Sequence, residues 1–291
     1  MQGSISIRSP AKVNLHLDVQ AKRTDGYHSI VSLFQLIDLW DEITIRSLKE
    51  KNKCRIIGMP HIPEEKNLIF RAVEQFRSYT GIQDGIEVHV KKKIPEKAGL
   101  GGGSSNAAYS LMLLNTLFRV GLEPEEIAVL GASLGSDVPF FCRSCCAVVT
   151  GRGESVKPVP ARSDLWALMV FPQAEVSTKE AYELFDRYGM SHAPLHPAEV
   201  EVRYLSNHPR DWDFYNSFLP VIRTRVEEID KAIQLLEEFE ADYVQMSGSG
   251  SACFALFTHE SHADAAHERC RRHFPCEKIH LLDKIPDPVL Q

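Results

Sequence analysis

The densest chemical signal in the chain is Gly99-Leu100-Gly101-Gly102-Gly103-Ser104-Ser105, entered through Ile94-Pro95-Glu96-Lys97-Ala98. Glycine reaches backbone angles closed to other residues, so successive N–H groups can converge on one anion. Directly behind the loop, Ala107, Ala108, Leu111, Leu114, Leu117 and Phe118 recur on a broad apolar face that ends at Gly121. That pattern predicts a helix, whose free first-turn N–H groups and positive dipole end favour a bound phosphate. The hydroxyls of Ser104 and Ser105 would add donors, or an oxygen ligand for magnesium. The spacing matches neither G-x-x-x-x-G-K-[ST] nor G-x-G-x-x-G, so it is neither a Walker loop nor a dinucleotide fingerprint. A plain strand-to-helix connector would not need three consecutive glycines and two serines.

The other reactive groups are less distinctive singly. Asp137, in Leu134-Gly135-Ser136-Asp137-Val138-Pro139-Phe140-Phe141, reads either as a positioned general base or as a turn-capping carboxylate. Lys12, in Ser9-Pro10-Ala11-Lys12-Val13-Asn14, opens a strand and alone reads as a lysine whose stem lies along the surface. Asn14 alone carries no signal. Tyr27 and His28 follow the turn Thr24-Asp25-Gly26 and would either stack on and hydrogen-bond a nucleobase or simply pack. A second glycine loop, Met246-Ser247-Gly248-Ser249-Gly250-Ser251, has the look of a tight turn between strands. Cys142, Cys145 and Cys146 contain a C-x-x-C spacing, but no second pair or H-x-x-x-H completes a tetrahedral set. They read as free thiols, and no protein metal cage is expected.

These groups need elements to position them. Val13, Leu15, Leu17 and Val19 alternate with Asn14, His16 and Asp18, which predicts a half-buried strand. Apolar runs at 30–37, around Ile43 and Ile45, and at Ile86, Val88 and Val90 predict further strands. Helical spacing covers 67–79, and a second helix starts after Pro124. Segments 140–142 and 147–150 look strand-like. In the second half, 165–171 is a buried strand, and Ser177 with Glu180 forms a capping box for a helix carrying Tyr182 and Phe185. One long helix is expected over 219–239. Strands at 244–246 and 252–257 flank the second glycine loop, followed by a helix near 262–274 and a strand at 278–282. Both halves mix strands and helices, so the fold class is α/β (α+β). The polar, proline-broken stretch 152–163 suggests domains over 1–157 and 158–291.

Bulk composition agrees with two folded domains, since 291 residues exceed the roughly 100–200 typical of one. With 44% hydrophobic and 25% charged residues, a disordered chain, a collagen and a coiled-coil rod are excluded. The 33 basic and 39 acidic residues leave a charge of −6, a poor match to nucleic acid or an anionic membrane surface. No stretch approaches the roughly 20 apolar residues of a membrane helix. Met1-Gln2-Gly3-Ser4 does not open a secretory signal. The expectation is a cytoplasmic protein with no nucleic-acid or membrane partner.

Taken together, Pro10–Asn14, Gly99–Ser105 and Met246–Ser251 occur in the order and approximate spacing of the three motifs of the GHMP kinases, which the chain resembles from about residue 8 to residue 256. Arg23-Thr24-Asp25-Gly26-Tyr27-His28 and Gly135–Phe141 are similar to signatures of the branch that acts on a cytidyl-diphosphate methylerythritol in non-mevalonate isoprenoid synthesis. The resemblance implies an N-terminal ATP-binding domain, a C-terminal substrate-side domain and a cleft between them. ATP, with magnesium, would be held by Pro95, Gly99, Leu100, Gly101, Gly102, Gly103, Ser104 and Ser105, with Asn67 near the adenine. Asp137 would take the proton from the erythritol 2-hydroxyl, while Lys12 would keep that aspartate charged and steady the moving phosphoryl group. Asn14, Gly248 and Ser249 would contact the acceptor. His28 would meet the cytosine edge, and Tyr27 and Tyr182 its two faces. Kinases of sugars, homoserine or mevalonate need no nucleobase pocket, so Tyr27-His28 separates the branches. The joint presence of Lys12 and Asp137 argues against a non-catalytic relative. The chain departs from the family at Asn106, where aspartate is common, and at Ser136, where alanine is common. It departs again at Asn216-Ser217-Phe218-Leu219-Pro220, which lacks both acids of an N-D-[FL]-E-P element and so bears on local helix capping.

Overall fold

The computed structural model describes residues 4–189 and 193–290. Two long antiparallel strands, β1 (Ser4–Lys22) and β2 (His28–Leu48), open the chain and pair along their length. The turn between them is held by Asp25 Oδ1, which accepts from the Tyr27 amide at 3.1 Å. There follow β3 (Cys54–Ile57), α1 (Leu68–Thr80), β4 (Gly85–Lys91), α2 (Gly102–Phe118), α3 (Pro124–Ala132), α4 (Val138–Arg143), β5 (Cys146–Gly151) and β6 (Ser155–Pro158). The second half contains β7 (Trp166–Val170), α5 (Thr178–Tyr188), α6 (Pro197–Ser206), α7 (Leu219–Ile222), α8 (Glu227–Glu237), β8 (Tyr243–Met246) and β9 (Cys253–Phe257). It closes with α9 (Glu260–Cys270), β10 (Cys276–His280) and β11 (Val289–Leu290).

Among the described residues the strands form two sheets. The first runs β11-β1-β2-β4-β3, with β5 also on β2 and β6 on β5. Strand β2 is long enough to carry two neighbours on one edge, β5 along Ile30–Gln35 and β4 along Glu42–Leu48. The second sheet runs β10-β7-β9-β8 and is antiparallel throughout. Apolar side chains fill the space between the first sheet and α1–α4, where Phe34, Phe76, Tyr109 and Phe140 are buried. They also fill the space between the second sheet and α8 and α9, around Ile229, Ile233 and Phe257. A further cluster joins the sheets to each other. Val13, Leu15 and Leu33 of the first meet Met169, Phe254 and Leu256 of the second, closed by Tyr204 and Trp212. No helix of the described residues is long and apolar enough to cross a membrane.

The structure departs from the sequence reading in several places, each for a local reason. Strand β1 is not half-buried: Lys12, Asn14, His16 and Asp18 are all at most 5% exposed. Its polar side is buried against residues of both halves, Lys12 against Asp137 and Phe34 and His16 against Phe214 and Tyr215, so alternation reports a change of chemistry rather than access to water. The two apolar runs at 30–37 and 43–45 belong to one strand, because register shifts in the pairing, one of them between Pro10 and Ala11, let β1 follow β2 past the polar stretch. Segment 140–142 is helical: Pro139, in the first turn of α4, presets a helical φ, and the paired phenylalanines pack inward. The helix expected over 219–239 is two, α7 and α8, separated by Val226 in an extended conformation. Glu227, Glu228 and Asp230 fall in the first turn of α8, where acids favour a fresh helix start. Helix α6 lies in a segment with no predicted element, although Pro197 and the Glu199-to-His196 capping contact at 2.8 Å mark its start.

The shared cluster makes the two halves interdependent. Leu15→Ala empties a fully buried position in it and is expected to cost about 2–5 kcal/mol. Calorimetry should show one transition at lower temperature, and two separate transitions would contradict the shared core.

Candidate active site

A cleft of about 1100 Å³ is lined by residues of both halves. Strand β1 supplies its floor. Lys12 and Asn14 face the cleft, and a register slip between Asn14 and His16 lets Leu17 line it as well. The Lys12 amide donates to Leu100 O at 3.0 Å, which ties the strand to the first glycine loop. The Lys12 ammonium lies 2.5 Å from Asn14 Oδ1, 3.7 Å from Asp137 Oδ2 and 4.6 Å over the Phe34 ring. Burial pushes its pKa below the ordinary 10.5, and the Asp137 charge partly restores it. Asp137 stands at the head of α4 without capping it, so its carboxylate is left to face Lys12 and the cleft.

The glycine loop closes over this pair. Gly99 and Gly101 adopt φ of 76° and 69°, a region that suits glycine. A Cβ on Gly101 would lie 3.0 Å from the Phe141 ring and 3.1 Å from Lys12 Cγ. Gly101 caps the 17-residue α2, whose first-turn N–H groups have no helical acceptor and stand beside Gly103 and Ser104 in the cleft wall. Gly102, Pro95 and Leu100 also line the cleft. Asn67 lies in the same wall, but its Oδ1 is occupied in capping α1 through the Ile69 amide at 3.0 Å.

Ser105 corrects the sequence reading. It is fully buried, donates to Pro10 O at 2.6 Å and lies 2.7 Å from Ser9 Oγ. One helical step past Ser104 turns it toward β1, so Ser104 alone of the two offers a hydroxyl to the cleft. The surroundings of residue 106 explain why an asparagine stands there. Its amide donates to Asp41 Oδ2 at 2.9 Å, and Lys92 Nζ reaches the same oxygen at 2.5 Å. An aspartate at 106 would face the Asp41 carboxylate directly.

The second glycine loop meets the first. Ser247 Oγ donates to Gly99 O at 3.0 Å and accepts from the Asn14 amide at 3.3 Å. Gly248 and Ser249 line the cleft, with Ser249 Oγ 3.3 Å from Thr178 Oγ1. Asn216 Nδ2 donates to Met246 O at 2.7 Å and Gly248 O at 2.8 Å, while its Oδ1 accepts from the Phe218 amide. Ser217 Oγ accepts from the Val19 amide at 2.9 Å. The element that lacks two acids thus leaves α7 without a side-chain cap, yet Asn216 clamps the loop and Ser217 ties the element to β1.

At the far end of the cleft His28 is buried. Its Nδ1 lies 2.8 Å from Gln20 O and carries the proton there, which turns Nε2 to the pocket, 3.0 Å from Asp186 Oδ1 but outside hydrogen-bond geometry. Tyr182 stacks on His28, with centroids 5.1 Å apart at 25°, and meets Phe218 edge-on at 4.9 Å. Burial and the nearby Asp137 charge push its hydroxyl up to about 12. Tyr182 is thus in the pocket with one face already taken by His28, where the sequence reading gave it a face of the cytosine. Tyr27 stands at the rim, 55% exposed, with the Arg152 guanidinium 4.0 Å over its ring. Arg152, Asp186 and Lys92 are cleft residues that sequence reasoning did not single out. Only Asp186 carried a signal, its helical spacing of four from Tyr182. Away from the cleft, burial pushes the thiols of Cys142 and Cys146 up to about 12, against the thiolate a metal would need.

Both halves of the chain match known proteins. The GHMP kinases N terminal domain matches residues 67–144, and the GHMP kinases C terminal domain matches 205–276. A 4-diphosphocytidyl-2-C-methyl-D-erythritol kinase of Thermodesulfovibrio yellowstonii is 37% identical over 267 residues, 90% of this chain and 93% of the relative. The chain belongs to that kinase family, within the GHMP kinases. A kinase of the same name from Geobacillus kaustophilus is 36% identical over 264 residues, covering 88% and 89% of the two chains. A solved structure of 4-(cytidine 5'-diphospho)-2C-methyl-D-erythritol kinase superposes with a TM-score of 0.80 at 31% identity, over 95% of this chain and 98% of that one. A homoserine kinase of Cytophaga hutchinsonii, at 20% identity and a TM-score of 0.77 over 98% and 97% of the chains, shares the fold. This GHMP kinase is a small-molecule phosphotransferase.

The buried Lys12 yields a pH expectation. Raising the pH should strip its proton below the ordinary lysine value of 10.5, so kcat should fall on an alkaline limb centred below that value. A rate that stays level up to that pH would remove the Lys12 ammonium from the chemical step.

Proposed function

We propose that this GHMP kinase transfers the γ-phosphoryl group of ATP to the 2-hydroxyl of 4-diphosphocytidyl-2-C-methyl-D-erythritol, giving ADP and the 2-phosphate in the non-mevalonate isoprenoid route. The observation that carries the reading is the pair of buried Lys12 and half-buried Asp137, 3.7 Å apart, in a cleft lined at once by a glycine loop and an aromatic–histidine pocket. Phosphoryl transfer asks a protein for positioning and charge stabilisation more than for covalent chemistry. The N-terminus of α2 and Ser104 hold the donor phosphates. Asp137 accepts the hydroxyl proton, a role typically worth 10²–10⁴-fold. Lys12 offsets the charge that develops on the transferred group. Donor and acceptor then meet in line over one carboxylate, with no intermediate on the protein.

The acceptor end favours a nucleotide over a bare sugar or hydroxy acid. His28, Tyr182 and Phe185 form a cluster of rings, with Phe185 edge-on to His28 at 6.0 Å, and Tyr27 stands at its mouth. An acceptor as small as homoserine would leave that surface unused. Among the described residues no cluster of three or more His, Cys, Asp or Glu could hold a metal, while Ser104 and Asp137 present oxygens to the cleft. These groups fit a magnesium ion carried in on the nucleotide phosphates, where it would neutralise charge. On this reading residues 1–157 are the ATP-binding domain and 158–291 the substrate-side domain, acting in the cytoplasm on small molecules.

Purified protein with ATP and magnesium should release ADP when given the cytidyl-diphosphate acceptor, and phosphorus NMR should show a new phosphomonoester. Turnover with mevalonate, galactose or homoserine, and none with that acceptor, would overturn the reading.

A further inference from the structure

Most cations of the cleft are already neutralised. Lys12 and Lys92 are held by Asp137 and Asp41. Lys22, Lys97 and Lys179 pair with Asp186, Glu175 and Glu183. Among the described residues, the basic side chains that line the cleft without a carboxylate partner are Lys66 and Arg152. Lys66 precedes Asn67 at the donor end. Arg152 is therefore the uncommitted charge of the acceptor end.

Its placement is fixed by the turn between β5 and β6. Glu154 Oε2 accepts from the Arg152 amide at 2.6 Å, and the Gly153 amide donates to Thr150 O at 3.2 Å. The turn abuts the catalytic aspartate: a Cβ on Gly153 would lie 3.0 Å from Ser136 Cβ and 3.7 Å from Asp137 Oδ1. From there the side chain reaches out to Tyr27, where its guanidinium rests 4.0 Å over the ring. Arg152 thus spans the path from the reacting carboxylate to the mouth of the base pocket. In the proposed acceptor the diphosphate joins the nucleoside to the erythritol, so it must lie on that same path, beside the one cation lining that end which no carboxylate pairs among the described residues.

We propose that Arg152 is the binding residue for the acceptor's diphosphate, and that Tyr27 holds its guanidinium ready when the cleft is empty. The guanidinium fork matches two phosphate oxygens in charge and geometry, and stacking on an aromatic face presets its plane. Arg152 then selects for acceptors with a diphosphate linkage, as the ring pocket selects for the base. This inference rests on the acceptor assigned under the proposed function.

Titration calorimetry tests it, with the donor site filled by a non-hydrolysable ATP analogue and with CDP and cytidine as probes. The wild-type protein should bind CDP more tightly than cytidine. Arg152→Gln should cut that preference about tenfold without changing the cytidine affinity, and should raise the acceptor KM by a similar factor with the ATP KM unmoved. Arg152→Lys should recover part of the preference, since it restores the charge without the fork. Lys179→Gln removes the same charge from the same cleft and should leave the preference intact. A preference for CDP that survives Arg152→Gln, or falls equally in Lys179→Gln, overturns the role of Arg152. A wild-type protein that binds neither probe overturns the acceptor assignment itself.

Discussion

Gly99 and Ser247 approach so closely that a methyl group on the glycine would lie 2.0 Å from the serine carbonyl. That backbone contact is the constraint on which the site depends. It brings the first glycine loop against the second, and the Ser247 hydroxyl then bridges Gly99 O and the Asn14 amide. The Lys12 amide completes the junction through Leu100 O. Buried backbone groups must find partners, and here they find them across segments far apart in the chain. Strand β1 and the two loops are thereby held as one rigid unit beneath the cleft, backed by the apolar cluster that joins the sheets.

The second consequence is electrostatic. On the proposed function, a chain with a net charge of −6 has to hold two anionic substrates side by side. It does so with a little formal charge placed well. The helix N-terminus and loop amides contribute partial positive charge that no residue count records. Lys12 is the one ammonium driven deep into the floor, at 4% exposure, and Asp137, Asn14 and the Phe34 ring surround it. Burial lowers its pKa and the Asp137 charge opposes that shift, so ammonium and carboxylate face each other across 3.7 Å.

Loop chemistry was legible in the sequence, because glycine runs and capping residues act locally. The glycine loop at 99–105, the helix from residue 67 and the Ser177 cap of α5 were all visible there, and Ser177 does accept from the Glu180 amide, although the start of α5 shows only that half of the expected box. Side-chain direction was less so. Ser105 follows Ser104 in every motif sense, yet a helical step turns it into the protein. The break between α7 and α8 is set by Val226, whose apolar side chain fits either a helix interior or an extended residue. Partners brought together only by the fold were out of reach. Nothing near Asn106 announces Asp41, nothing near Tyr182 announces a stack on His28, and nothing near Arg152 announces Tyr27. Lys12 and Asn14 were anonymous alone and gained meaning only through resemblance, since their roles depend on loops far along the chain.

In the proposed reaction the cleft brings donor and acceptor together for direct transfer over Asp137. Chemical-quench single turnover tests it most directly, using excess enzyme, γ-labelled ATP and the cytidyl-diphosphate acceptor. The label should pass straight to the acceptor with no labelled protein at any time, and Asp137→Asn should slow that transfer by at least about 100-fold while nucleotide still binds. A labelled protein that forms and decays before product, or an undiminished rate in the variant, would contradict the account.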